Sequence, residues 1–342
     1  MNKKISTDNH YVSRMYLKAW ATNKYVKVCE LLVPNDKVHM WKSKSISSIC
    51  SYDSMFVRLK DGEKNSDIED WFNKDFENPA KEALEHAIND ERMSIDDWHN
   101  IINFILCQIV RNPTFLSKIL SWSKAWGESA FNEELDTISN MSEEEIINDY
   151  NNHKSCDNEK LFPLKIEKVG ESSDGKIEYK VETYFGKQFY LWYIKRIINS
   201  DISKMFHKQK WGIMNIEHNI VIPTSDNPVI CLNYINRDNY DFNGSIGVKD
   251  NYILFPISPT KIIYTQIGKK VKSRINVNYN TSLFLKKIII EHAFRKVISC
   301  FEDEEVLKIR KRKVNKEIFQ NELEMWEDFE KNYLEKEINF IR

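Results

Sequence analysis

Ser94 to Arg111 reads SIDDWHNIINFILCQIVR. Apolar side chains recur at Trp98, Ile101, Ile102, Ile105, Leu106 and Ile109, the spacing of an α-helix. They cover so wide an arc that other elements must surround the helix. The helix starts at Ser94, and Pro113 ends or kinks it just past Arg111. The stretch therefore predicts a central helix, around which the rest of the chain can be read.

Upstream, Ser66 with Glu69 three residues on has the form of a capping box, and Ile68, Trp71, Phe72 and Phe76 recur on one helical face. Pro79 interrupts that run, and a helix carrying Ala83, Leu84, Ala87 and Ile88 restarts with it in the first turn. Before these, Tyr25 to Val33, Val38 to Trp41 and Met55 to Leu59 read as strands of a small sheet. Downstream, Phe115 to Phe131 stays helical, with Trp122 and Trp126 one turn apart, and Ser142 with Glu145 caps a further short helix. Residues 150–160 are polar and without period, so they read as a linker between a lobe at 1–150 and another at 161–342.

The second lobe is richer in strands. Ile166 to Val169 and Ile177 to Thr183 flank Ser172-Ser-Asp-Gly175, a hairpin signal, and a helix from Lys187 to Phe206 follows. Short strands are expected at Trp211 to Ile216, Ile220 to Pro223, Val229 to Leu232, Tyr252 to Ile257 and Lys261 to Ile267, then helices at Thr281 to Ser299 and Glu304 to Phe340. The expected class is α+β: a helical N-terminal lobe with a small sheet, then a mixed or antiparallel sheet lobe closed by C-terminal helices. The two lobes can pack as one unit.

Composition narrows the function classes. In a chain of 342 residues, 42% apolar and 30% charged side chains predict a folded protein with a wet surface. Its net charge of -1 gives no global field toward nucleic acid or an anionic membrane, so any such binding needs a local patch. Met1 to Asp8 lacks a signal-peptide core, and no stretch approaches the ~20 apolar residues of a membrane helix, which predicts a cytosolic protein without a membrane partner. Cys29, Cys50, Cys107, Cys156, Cys231 and Cys300 are scattered and read as thiols. None of the nine glycines forms a nucleotide-binding loop, so no nucleotide cofactor motif is present.

Five short strings then stand out in order. They are His10-Tyr-Val with Tyr16-Leu17, Ile68-Glu69 with Phe76-Glu77, Gln108-Ile-Val-Arg111 with Pro113, Ser225-Asp-Asn-Pro228, and Phe255-Pro-Ile-Ser-Pro259. Together they resemble the bacterial domain-of-unknown-function family DUF4238, over roughly residues 10 to 260. The chain departs at Ser13, where the family pattern has Pro. The resemblance implies a stand-alone bacterial cytosolic protein and membership of defence or toxin-like gene sets. It implies no activity, so the residues themselves must carry the chemistry.

His10 titrates near neutrality and precedes aromatic anchors, which suits an acid or base, or equally an imidazole fixing the arm. Arg14 lies four residues on and would share its face in a helix, so the two could clamp an anion. Asp226, at a strand end and followed by Asn227-Pro228, can be held out as a base or metal ligand with Asn227 against substrate, or can make an Asx-turn. Gln108 and Arg111 fall on one side of the central helix, where Arg111 would bind phosphate with Gln108 orienting it, or would answer the helix dipole. Glu69 and Glu77, about 80° apart on an ideal helix, could join Asp226 around a divalent metal such as magnesium, although the capping box already accounts for Glu69.

Lys308, Arg310, Lys311, Arg312, Lys313 and Lys316, and separately Lys269, Lys270, Lys272 and Arg274, are local basic patches able to meet nucleic acid, the first diluted by Glu302 to Glu305. Two functions follow. One is a phosphodiester-cleaving, nuclease-like hydrolase with His10 and Asp226 catalytic. The other is a non-catalytic sensor or interaction module, with a protein partner or a second copy, whose Trp71, Trp98, Trp122 and Trp126 build an aromatic groove.

Overall fold

The computed structural model describes residues 8–60, 63–118, 164–171, 177–183, 187–244 and 247–341, with isolated positions between 132 and 145. Trp122, Trp126, Cys156, the 150–160 linker and the 172–175 turn lie outside the described residues. The class is α+β, as expected.

The N-terminal half begins with β1 (Asp8–His10), α1 (Arg14–Leu17), β2 (Tyr25–Glu30), β3 (Leu32–Val33), β4 (Trp41–Ser45), β5 (Ser51–Asp53), β6 (Arg58–Lys60) and β7 (Glu63–Asn65). Then come α2 (Asp67–Phe72), a π-turn at Asn73–Glu77, α3 (Asn78–Ile88) and the central α4 (Ile95–Val110). The single strand expected from Tyr25 to Val33 divides at Leu31, whose N–H leaves the sheet for the Arg295 carbonyl at 2.8 Å. The strand expected at Val38 to Trp41 begins only at Trp41, and Met55 to Val57 form a turn before β6.

α4 starts after Ser94 as expected, and Ser94 caps it, accepting from the Asp97 N–H at 3.0 Å while Asp97 accepts from the Ser94 N–H. As expected, Pro79 sits in the first turn of α3, and the irregularity ahead of it is the π-turn at Asn73–Glu77.

The second half contains the antiparallel pair β8 (Leu164–Glu171) and β9 (Ile177–Thr183), then α5 (Lys187–Ile198) and α6 (Asp201–Lys208), where one helix was expected. Ser200 divides them, because its hydroxyl accepts from the Ile202 N–H and starts a new helix. β10 (Gly212–Asn215), β11 (Thr224–Ser225), β12 (Ile230–Asn236), β13 (Asn239–Asp241), β14 (Tyr252–Ser258), β15 (Lys261–Gln266) and β16 (Arg274–Asn276) follow. Ile220 to Pro223, expected as a strand, is a loop ahead of β11.

The chain closes with α7 (Tyr279–His292), β17 (Lys296–Ser299), α8 (Glu305–Ile309), β18 (Lys313–Val314) and α9 (Lys316–Ile341). The helices expected at 281–299 and 304–340 are each broken by a strand. A mixed six-stranded sheet runs β13-β12-β14-β15-β10-β16, with only β10 and β16 parallel within it. The four-stranded sheet β11-β17-β2-β4 draws strands from both halves of the chain, and the largest apolar cluster likewise joins Val12, Ile105 and Phe255. Among the described residues no helix is long and apolar enough to cross a membrane.

The N-terminal arm is tucked into this core. The Tyr16 hydroxyl donates to the Pro256 carbonyl at 2.7 Å, its ring stacks on Phe255 at 5.0 Å, and Trp20 Nε1 donates to the Ile222 carbonyl at 2.9 Å. Burying one such ring contributes about 2–3 kcal/mol, and pairing its polar end keeps that gain.

Candidate functional site

Two polar centres lie side by side, joined through consecutive residues at the end of α4. Arg111 belongs to the first and Asn112 to the second.

Arg111 is fully buried, and an unpaired charge there would be costly. Its Nη1 donates to Glu77 Oε1 at 2.6 Å, its Nη2 donates to the His10 carbonyl, and the Phe56 and Phe72 rings lie 5.6 and 4.9 Å from its Cζ. Burial works against the charge, but Glu77, Cys107 and Glu69 outweigh it and keep the guanidinium protonated. The other Glu77 oxygen accepts from the Ser13 hydroxyl at 2.8 Å, so the residue that departs from the family pattern supplies a donor that proline lacks.

Glu69 turns inward to 3.9 Å from Arg111 Nη2. The capping box expected from Ser66 is not formed, and the local hydrogen bond is instead from the Asp67 N–H to Asn65 Oδ1 at 2.7 Å. The π-turn explains how Glu69 and Glu77 reach one guanidinium: each of its residues advances by less than the ~100° of an α-helix, which closes the 80° gap.

His10 ends β1, outside α1, so it and Arg14 do not share a helical face as expected. Its Nδ1 stands 3.9 Å from Asp8 Oδ2, and its Nε2 is buried without a partner. Glu69 Oε2, Arg111 Nε and both polar atoms of the Gln108 side chain, one turn before Arg111, are buried and unpartnered in the same way. Arg14 is exposed, forms no salt bridge among the described residues, and is near enough for its charge to act on both His10 and Glu69.

The electrostatics follow from burial. Desolvation lowers the His10 pKa, with Arg14 and Arg111 acting the same way against Asp8 and a Ser47 backbone bond. Desolvation pushes the Glu69 carboxyl up to about 7, with Glu77 and Asp8 adding to the rise and Arg111 and Arg14 opposing it. Two titratable groups thus stand on opposite sides of their ordinary values, His10 below and Glu69 above.

The second centre is built from Asp226, which is 1% exposed just past β11. Its carboxylate accepts from the Phe294 N–H at 2.9 Å and the Arg295 N–H at 2.8 Å, and its own N–H donates to the Lys296 carbonyl at 3.1 Å. Asn112 Nδ2 donates to its main-chain carbonyl at 2.7 Å. Burial raises its pKa against Lys296 and those backbone donors. Asn227 packs on half-buried His292, its carbonyl 3.1 Å from Nδ1 and its side-chain amide 3.3 Å from Nε2. Desolvation, with the charges of Lys118 and Arg310 acting the same way against the Asn227 backbone bond, pushes the imidazole down to about 4.

The structure therefore brings His10, Glu69, Glu77 and Arg111 together, with Gln108 one turn away and Arg14 at the outside. Asp226 and Asn227 stand in the neighbouring centre, with the Asp226 carboxylate turned to the backbone of residues 294–295. Sequence reading missed Asn112 and His292, which gave no signal that distinguishes them from surface polar residues; it noted Ser13 only as a departure from the family pattern and Arg310 only as part of a basic patch.

Among the described residues no group of three or more His, Cys, Asp or Glu side chains is arranged to hold a metal ion, and the cation between Glu69 and Glu77 is Arg111. The basic patches are largely engaged. Arg310 donates to the Glu291, Ala293 and Phe294 carbonyls, Arg312 to the Val38 carbonyl, and Lys308, Lys269 and Arg274 pair with Glu305, Asp250 and Asp90.

Fold and site define an α+β protein whose landmark strings meet each other, with an internal His–Glu–Arg cluster at the junction. The family model for Protein of unknown function (DUF4238) matches residues 8–303, and the chain belongs to that family. No curated protein and no solved structure matches it.

Proposed function

We propose that the chain is a phosphodiester-cleaving enzyme in which His10 and Glu69 transfer protons and Arg14 holds the substrate phosphate. One observation carries the reading: His10 Nε2 and Glu69 Oε2 are buried without partners, on two residues that both reach Arg111, His10 through its main-chain carbonyl and Glu69 through Oε1 at 3.9 Å. Native interiors pair nearly all such atoms, so an unpaired acid–base couple suits a polar visitor. Glu69 lacks the structural explanation its sequence offered, because it caps nothing. Arg14 supplies an exposed cation, whereas the Nη atoms of Arg111 are taken. A nuclease effector of a bacterial defence or toxin system is the setting in keeping with this chemistry.

The test is turnover of RNA and DNA by the purified chain, with and without magnesium, beside His10→Ala, Glu69→Gln and Asp226→Asn. Losses of about 100-fold or more in the first two are expected, the usual scale for removing a general acid or base. Turnover unchanged in both contradicts the assignment.

A second reading, a non-catalytic sensor or interaction module, draws on Asp226 and Asn227. Their hydrogen bonds are spent on the backbone and on His292, as befits residues that lock segments together. On that reading all three substitutions act on melting temperature alone.

A further inference from the structure

We infer that the outer face of the N-terminal arm and of the β2–β4 pair binds a single-stranded nucleic acid along its phosphates. The inference goes beyond the phosphodiester reading: apart from Arg14 it uses other side chains, and it stands whether or not a bond is cut.

Charge is unevenly placed along the chain. Between Asp8 and Glu30 there is no acid and four bases, Arg14, Lys18, Lys24 and Lys27, and between Asp36 and Asp53 there is no acid and three, Lys37, Lys42 and Lys44. The fold brings the two stretches together, since β1 pairs with β5 and β2 with β4. Residues 9–52 thus set seven bases against Glu30 and Asp36, a net +5 in a chain whose total is -1. The field this creates is local, and it draws a polyanion to this face.

Four of these cations are open to a ligand. Arg14 in α1 and Lys18 in the 3-10 turn that follows stand one helical turn apart, Lys24 comes next in the tight turn between Thr22 and Tyr25, and Lys44 lies on edge strand β4 opposite Val26. All four are exposed and form no salt bridge among the described residues. The nearby acids Glu30 and Glu302 are taken by Lys42 at 2.6 Å and Lys27 at 2.9 Å, and Lys37 lies beyond the other end of β4, beside Asp36. Lys24 holds φ at +68°, where glycine or asparagine would sit at less cost, so a charge is kept at the turn against the backbone preference. Its carbonyl accepts from the Ile46 N–H at 3.0 Å, which sets the turn beside Ser47 and Ser48. The occupant follows from the neighbours. Tyr25 is 55% exposed and offers a ring face to a base, while Thr22, Asn23, Ser43, Ser47 and Ser48 are exposed hydroxyls and an amide of the kind that meet phosphate and sugar. A membrane surface calls instead for apolar side chains to insert beside the cations.

The experiment measures binding of the full chain, in EDTA, to a fluorescent single-stranded DNA oligomer, to the same sequence as a duplex, and to phosphatidylserine vesicles. Four phosphate contacts predict a log–log salt slope of about -3 for the single strand, a weakening of about 50-fold between about 50 and 200 mM salt. Lys24→Gln combined with Lys44→Gln should halve that slope to about -1.5 and leave the melting temperature unchanged. Tyr25→Ala should weaken the single strand about tenfold and leave the duplex unaffected, because only an unpaired base can stack on the ring. Lys311→Gln combined with Lys313→Gln, in the basic stretch after α8, should change neither. Failure to bind the single strand, or a slope untouched by the Lys24 and Lys44 pair, overturns the inference. A duplex bound as tightly as the single strand overturns it too, and vesicles bound in preference to both would assign the face to a membrane surface. Binding as described, with no cleavage once magnesium is added, leaves this inference standing and removes the phosphodiester reading alone.

Discussion

The Asp226 corner and the His10–Glu69 cluster are adjacent, both buried and both charged, yet they use their polar atoms in opposite ways. At Asp226 both carboxylate oxygens, the N–H and the carbonyl all have partners within the chain. In the cluster, Arg111 and Glu77 satisfy each other while His10 Nε2 and Glu69 Oε2 are unmatched. A closed network lowers the folded state's energy; an open one costs it energy and is retained where chemistry uses the cost. Substitution should therefore act on stability at one centre and on turnover at the other.

The largest expected effect breaks the shared hinge between them. Arg111→Met removes the cation facing Glu77 and the donor to the His10 carbonyl, leaving a half-buried carboxylate uncompensated. A loss of about 3–5 kcal/mol in unfolding free energy is expected by urea titration, and a loss under 1 kcal/mol would mean that the guanidinium positions nothing.

Asp226→Asn comes next. An amide offers one oxygen where the Phe294 and Arg295 N–H groups need two acceptors, so a buried donor is stranded at about 1–3 kcal/mol. Melting should fall while turnover per folded molecule is retained, whereas lost turnover at unchanged melting would return Asp226 to the chemistry.

The contrast also explains what the sequence could disclose. The central helix was legible because Ser94, the apolar period and Pro113 are local signals that agree. His10 and Arg111 were legible as polar groups set among anchors, and Arg111 donates to the His10 main-chain carbonyl. Glu69 was misread as a cap because Ser66 offered one, and the π-turn that swings it inward has no residue signature comparable to an N-cap or a turn glycine. The turn at Asp226 was visible, but its partners lie 68 and 69 residues later, so whether its carboxylate faced solvent or backbone could not be read from the turn itself. The same long-range contacts end α7 at His292: Ala293 to Arg295 leave the helix to give carbonyls to Arg310 and N–H groups to Asp226, although Thr281 to Ser299 reads as one helical run.

The one change expected to stabilise the chain is the most direct test. Glu69 has a folded-state pKa near 7, above its ordinary carboxylate value, so its ionisation costs stability as pH rises from about 4.5 through 7 and the cost is fully present above 7. Glu69→Gln carries no charge, so relative to the native chain it should be close to neutral at pH 5 and more stable by about 1–3 kcal/mol at pH 8, measured by urea unfolding at both pH values. A gain that grows with pH is the expected result. A loss of stability at pH 8 would mean that the Glu69 carboxylate is a structural partner like Asp226, and would contradict the assignment of the open centre as the functional one.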